Sequence, residues 1–454
     1  MPSSSGGRPP LVSHPVFGEG VVIDARGRGT ELLVRFQTGL VLWLPVNRVR
    51  LLSRLDDRLL GSARPGPVPT SSIQARRMIE AFRLGIVPRQ DVELFTFGRE
   101  RQIEIIETAL KRLAQGTGDV FIVEGEYGTG KTHLLEYFHH RALLQGMVTS
   151  LVQFDPLEVT PHRPKRVYRE LVHNLRFLVG DREEGFRDLL HRARDLDLHD
   201  HVFLGPVLDK LRRLDWGNIQ TEVFWQWVEG ESTKEYATEM RSPFRVRGGQ
   251  RIPALYDFST AADFYCNIIS GLSHIARALG LKGLVLLIDE AETVTRLWDM
   301  IYLTKSVNFM DGLVRTAQND PELKRLSSRM IHNKVRPVPY IYRDATLLLV
   351  FATTPAPYDY AYLRLANRVQ HKIELEPLSD RVLVDVFSTM VLLYQRAYPD
   401  FALADWEQKR ILNSAASYRH EGIRSFIKFC VEALDVARLR RQGILPADRY
   451  SAAS

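Results

Sequence analysis

One run of eight residues states a chemistry by itself: Gly125-Glu126-Tyr127-Gly128-Thr129-Gly130-Lys131-Thr132. Its glycines let consecutive backbone N–H groups turn inward on phosphate oxygens. Lys131 then reaches the β- and γ-phosphates, and the Thr132 hydroxyl is available to Mg2+. Such a loop holds a nucleoside triphosphate, ATP in the first instance. Phosphoryl transfer also needs carboxylates, one for the metal and one for the attacking water. The apolar run 284–288 ends in Asp289-Glu290, and a carboxylate at the C-terminal tip of a buried strand lies beside the phosphate loop. Asp289 is read as the metal-holding group and Glu290 as the residue that polarises water. A strand followed by an acidic helix start would carry the same letters; the phosphate loop upstream decides between the two. Glu292 reads as a solvated first-turn charge.

These residues work only if strands end at them and a helix begins at the loop. Residues 120–123 form a short apolar run directly before the loop, and residues 134–144 show helical spacing directly after it. Residues 148–154, 284–288, 345–352 and 369–375 read as further strands, the most apolar of them as buried parallel strands do. Strand–helix alternation predicts an α/β fold, a parallel sheet with helices on both faces. After Glu376-Pro377 the pattern is helical only, over about 380–396, 403–417 and 422–442. At the front, short β-rich runs at 14–23, 31–36 and 40–45 are separated by glycine-bearing turns. They predict a small all-β barrel of SH3 or Tudor type. Residues 61–72 hold three prolines and two glycines and predict a linker. The expected division is a barrel at 1–55, a linker at 56–75, a P-loop domain at 76–377, a helical lid at 378–445 and a tail at 446–454.

The chain has 454 residues, 45% hydrophobic and 25% charged, which is core material for more than one domain. Its two cysteines, Cys266 and Cys430, sit in apolar runs and read as buried thiols rather than a disulfide scaffold. The sequence has no apolar run of about 18 residues and no signal-like start, so a cytoplasmic protein without a membrane partner is expected. The net charge of +7 suits a nucleic-acid partner without establishing one. Lys131 and Asp289 are 158 positions apart, so an insertion is expected at about 180–255. It holds Trp216, Trp225 and Trp227, more in keeping with core than with base stacking. It also holds an arginine-rich segment at 241–251; this loop and a second basic one at 324–336 are the expected contacts to DNA. Either would read equally well as a solvated loop. His139-His140 and His199/His201 lack the partners a zinc site needs.

The phosphate loop, the Asp-Glu strand and the helical C-terminal domain together resemble AAA+ ATPases of the origin-recognition branch. Four strings narrow the resemblance: Arg83-Leu84-Gly85-Ile86-Val87-Pro88, Phe97-Gly98-Arg99-Glu100, the loop itself with His133-Leu134, and residues 282–292. They resemble the ATP-binding proteins of BREX phage-defence systems, the BrxC/BrxD type, over roughly residues 76–440. The front barrel departs from that core; its residues 14–22 resemble the Tudor-like domain of UvrD-type helicases and, less closely, the CarD-type polymerase-binding module. The resemblance implies further roles. Thr354 falls at sensor 1, where many AAA+ proteins have Asn. Arg424, in Gly422-Ile423-Arg424, falls at sensor 2 and would fold the lid over the γ-phosphate. Arg364 and Arg368 both fit an arginine finger offered to a neighbouring subunit, with Arg368 preferred. Gly98 and Arg99 would lie beside the base. The implied activity is Mg2+-dependent ATP hydrolysis by a homo-oligomer in antiviral defence, controlling assembly on DNA or a partner such as a helicase. An ATP-gated adaptor that docks a helicase or RNA polymerase through the barrel is the alternative. A helicase proper ranks last, because further helicase motifs are missing.

Overall fold

The computed structural model of the chain describes residues 11–27, 30–36, 39–52, 57–213, 219–231, 252–255, 262–296, 299–325, 338–416, 418 and 422–445. The basic segment 241–251, Trp216 and residues 326–337 lie outside the described residues. The chain divides into two units, residues 1–98 with 377–454, and residues 99–376.

The first unit opens with five strands: β1 (Leu11–His14), β2 (Gly18–Arg26), β3 (Glu31–Phe36), β4 (Val41–Pro45) and β5 (Arg50–Leu52). They form an antiparallel sheet in the order β4-β3-β2-β1-β5, so β5 returns beside β1. On β3, Leu32, Val34 and Phe36 are buried while Arg35 is exposed, the period-two pattern of a sheet with one covered face. These three close on Val12, Val22 and Val49 in a core of their own. The proline-rich stretch expected as a linker is strapped down. The Arg64 N–H donates to Asp385 at 2.6 Å and the Gly66 N–H to Thr389 Oγ1 at 2.8 Å. Gly66 is needed there, because a Cβ would sit 2.8 Å from the Phe97 ring. The strap leads into α1 (Ser72–Arg83), capped by the Ser71 hydroxyl, with Ala75, Met78, Ile79 and Phe82 buried along one face.

The second unit runs α2 (Glu100–Ala114), β6 (Asp119–Gly125), α3 (Lys131–Leu144), β7 (Val148–Gln153), α4 (Pro164–His173), β8 (Arg176–Val179), β9 (Arg182–Gly185), α5 (Phe186–Arg192), α6 (Leu204–Leu211), α7 (Ile219–Val228), α8 (Ala262–Ala278), β10 (Leu284–Asp289), α9 (Met300–Ala317), β11 (Leu347–Thr353), α10 (Tyr360–Arg368) and β12 (His371–Leu375). Its sheet has the order β12-β6-β11-β10-β7-β8-β9. The first five of these strands are parallel, as expected. β8 runs antiparallel to β7, and β9 antiparallel to β8, which makes the sheet mixed rather than parallel. Gly180, at φ 61°, and Asp181 form the two-residue turn that folds β8 back as β9. Every residue of β10 and β11 is buried, which is why these runs are apolar without alternation. The described residues of the expected insertion do not stand apart. Leu189, Leu204, Leu208, Phe224, Trp225 and Val228 belong to the same hydrophobic core as the sheet. The Trp227 indole donates to the Pro253 carbonyl at 3.1 Å.

The chain then re-enters the first unit with α11 (Asp380–Ala397), α12 (Asp405–Ala415) and α13 (Ile423–Arg441). Helix α1, from the front of the chain, completes this bundle, its Met78, Ile79 and Phe82 sharing a core with Phe387, Met390 and Val431. Arg83 donates two hydrogen bonds to Asp435, at 2.8 and 2.7 Å, and the Tyr394 hydroxyl donates a third at 2.6 Å. Residues 76–98, expected with the P-loop domain, therefore belong by contact to the helical unit. Both cysteines are buried free thiols. No helix among the described residues is long and apolar enough to cross a membrane.

Candidate nucleotide-binding site

The phosphate loop joins the buried end of β6 to the first residue of α3. Gly128 and Gly130 take φ of 82° and 96°, a region that L side chains avoid and glycine enters freely. Gly125 is extended, but a Cβ there would fall 2.5 Å from Thr129 Oγ1. The loop is braced from within by the Thr129 hydroxyl on the Glu126 carbonyl at 2.8 Å. Arg99, 8% exposed, adds a second brace by donating to the Thr129 carbonyl at 2.8 Å. Burial lowers the Arg99 pKa, opposed by Glu100 and Glu376. Arg99, expected beside the base, thus supports the loop with its side chain. Tyr127 projects at the tip of the loop, 88% exposed.

The strand order decides what faces the loop. β11 lies between β6 and β10, so Thr354, one residue past β11, stands between the loop and Asp289. Lys131 Nζ donates to the Gly125 carbonyl at 2.7 Å and to Thr354 Oγ1 at 3.1 Å. The Thr354 hydroxyl donates onward to Glu292 Oε1 at 2.7 Å. The Thr132 hydroxyl donates to Asp289 Oδ2 at 2.6 Å. Residues up to 223 positions apart are thus drawn together: Lys131, Thr132, Asp289, Glu292 and Thr354 meet at the C-terminal ends of the parallel strands. Asp289 is 3% exposed. Burial pushes its carboxyl above the usual aspartate range, and the Thr132 hydroxyl and the Glu290 N–H draw it back. A hydroxyl and a carboxylate side by side are hard oxygen donors of the kind Mg2+ takes beside phosphate oxygens and water, so Thr132 and Asp289 fit the expected ion.

Glu290 has φ 54°. With Asn319 it is one of two non-glycine residues among the described ones at positive φ. Left-handed backbone on a side-chain-bearing residue costs about 1 kcal/mol or more. Three hydrogen bonds hold it there: the Glu290 N–H to Asp289 Oδ1 at 2.9 Å, the Thr293 N–H to the Glu290 carbonyl at 2.9 Å, and Gln153 Nε2 to Glu290 Oε1 at 3.1 Å. Gln153 ends β7 and pairs in register with Asp289 of β10. Sequence reading missed Gln153 and took Glu292 for a solvated charge. Gln153 is brought in only by the register of two strands, 137 residues from Glu290 in sequence, and Glu292 only by the neighbouring end of β11 at Thr354.

The remaining expected residues fall elsewhere. Arg368 Nε is 2.9 Å from Asp311 on α9. Arg364, one turn earlier, is exposed and makes no hydrogen bond or ion pair with the described residues. It borders a shallow cleft between α9 and α10 floored by Val307, Met310, Val314 and Leu365. Arg424 and Gly98 belong to the helical unit. A Cβ on Gly85, itself at φ 71°, would lie 2.6 Å from the Arg424 Cγ; one on Gly98 would meet Val382 at 2.8 Å. Of the second basic loop, Lys324 is paired with Asp344 at 2.5 Å.

Comparison with known proteins adds one match. Residues 71–193 fit the family model of the BREX system ATP-binding protein BrxC/D. That stretch begins at the cap of α1 and ends just past α5, so it contains the phosphate loop and Gln153 but not Asp289, Glu290 or Thr354. No curated protein matches the chain.

Proposed function

We propose that this chain, whose residues 71–193 match the family model of the BREX system ATP-binding protein BrxC/D, is an AAA+ ATPase that hydrolyses ATP to control an assembly in BREX-type phage defence. The observation that carries this is the convergence of Lys131, Thr132, Asp289 and Thr354 at the C-terminal ends of the parallel strands, beside Glu290. A triphosphate entering the loop offers Lys131 charged oxygens in place of backbone carbonyls, and charge-assisted bonds are about twice as strong. Thr132 and Asp289 would hold Mg2+, which would supply positive charge to the phosphates. Glu290 orients the attacking water, and Thr354 reports on the γ-phosphate to Lys131 and Glu292. Arg424 serves as the lid arginine. Arg364, without a hydrogen bond or ion pair among the described residues, suits the finger offered to a neighbour better than Arg368, which Asp311 holds. The subunits form a homo-oligomer, acting on DNA or on a defence partner in the cytoplasm.

The test is direct. Lys131→Ala weakens binding of a fluorescent ATP analogue by about tenfold or more, the worth of one or two charged hydrogen bonds. Glu290→Gln leaves binding intact and lowers turnover by about a hundredfold. Normal turnover in Lys131→Ala protein would sink the reading. The adaptor alternative rests on the separate core of the front sheet, an SH3/Tudor-like module. It gains if DNA leaves ATPase turnover flat while deletion of that module abolishes capture of a helicase or polymerase.

A further inference from the structure

Glu124 is a buried carboxylate that the nucleotide chemistry does not use. It is the last residue of β6 before Gly125 and is 8% exposed. Its Oε1 accepts the Tyr362 hydroxyl at 2.8 Å and the Lys372 ammonium at 3.0 Å. Tyr362 is on α10 and Lys372 on β12, so one carboxylate oxygen joins three elements. A carboxylate in such a place is costly unless its partners are held well. α10 has a second anchor at its far end, the Arg368–Asp311 pair. Between the two anchors lies Arg364, exposed and unengaged by the described residues.

We infer that Glu124, Tyr362 and Lys372 form a latch that ties α10, and with it Arg364, to the strand end from which the phosphate loop springs. The next residue after Glu124 is Gly125, whose carbonyl receives Lys131 Nζ at 2.7 Å. When Lys131 transfers to a phosphate, the constraint on that carbonyl is released one peptide from the latch. The loop of one subunit thereby sets where that subunit's Arg364 stands, and hence how well it serves the neighbour. Tyr362 is a positioning residue in this scheme. The inference rests on the ATPase reading above and on Arg364 acting between subunits.

The experiment compares Tyr362→Phe, Glu124→Gln and Arg364→Ala in the full chain. Each is measured for ATP-analogue affinity, for thermal unfolding, and for turnover alone and mixed with excess Glu290→Gln subunits. Tyr362→Phe loses one hydroxyl and keeps the ring. It is expected to hold affinity within about twofold and to lower turnover by about fivefold, the scale of one hydrogen bond. Added Glu290→Gln subunits, dead in hydrolysis but intact at Arg364, should restore that loss, as they should for Arg364→Ala. Glu124→Gln, which keeps an acceptor, should fall between Tyr362→Phe and the unaltered chain. If Arg364→Ala is impaired and rescued while Tyr362→Phe turns over normally, the latch is wrong and the ATPase reading stands. Loss in Tyr362→Phe that mixing does not restore places the effect in its own site and also overturns the latch. Normal turnover in Arg364→Ala removes the finger and the latch together, with nucleotide binding still to judge the ATPase reading.

Discussion

Asp289 sits in a place with little water, 3% exposed. Burial raises its pKa, so the folded chain holds that proton at pH values where the unfolded chain has lost it. Stability contributed here is therefore present in acid and falls as pH rises from the ordinary aspartate range through the raised value. Asp289→Asn can keep both hydrogen bonds, its carbonyl accepting from Glu290 and its amide donating to Thr132. The variant is expected to unfold at a higher temperature than the parent at pH 7.5, by a margin that shrinks toward pH 5, and to lose Mg2+-dependent turnover. An equal midpoint at both pH values would refute this account of Asp289. Thr354→Val deletes the hydroxyl between Lys131 and Glu292 and is expected to lower kcat by about ten- to a hundredfold, with nucleotide affinity changed by less than about threefold. At this scale the phosphate loop was legible because its residues are neighbours in sequence. Asp289 was legible because a strand end is a local pattern. Gln153 was not, since it matters only through its register opposite Asp289.

Among the elements, the pairing that most affects folding is α1 against α11 and α13. The Arg83–Asp435 pair is partly buried, with side chains 29% and 20% exposed, and Tyr394 shares its acceptor. Arg83→Ala leaves that acidic group without its cation and is expected to lower stability by about 2–3 kcal/mol. Gly85→Ala, at positive φ and against the Arg424 side chain, should lose about 1–2 kcal/mol. Urea titration followed by circular dichroism measures both, and a loss below about 0.5 kcal/mol for Arg83→Ala would remove the pair from the account. The helices themselves were readable: residues 380–396 were expected and Asp380–Ala397 is found. Their partner was not, because nothing in the spacing of Ile79 and Phe82 says that the surface they need lies more than 300 residues away. The β8–β9 hairpin was overlooked for the opposite reason, since its two strands of four residues are too short to show a period.

For the whole molecule, the front sheet and the nucleotide site have separate cores. Deleting residues 1–56 is expected to change ATP-analogue affinity by less than about twofold, the scatter of independent sites. A larger change measured by titration would mean that the sheet takes part in binding. The second unit is inserted within the first: the backbone crosses at Gly98–Arg99 and again at Glu376–Pro377. Its two ends lie together, with Gln102 Nε2 donating to the Glu374 carbonyl at 3.0 Å. This order matters on the ribosome. Arg83 emerges 352 residues ahead of Asp435, an interval of roughly 20–70 s at about 5–20 residues per second. By the time Glu376 has emerged the second unit has all it needs to close on its own ends, while the apolar face of α1 still waits for the C-terminal helices. At that point the nascent chain carries a finished second unit and an unfinished bundle, and Ile79 and Phe82 are the apolar handle left open to a chaperone.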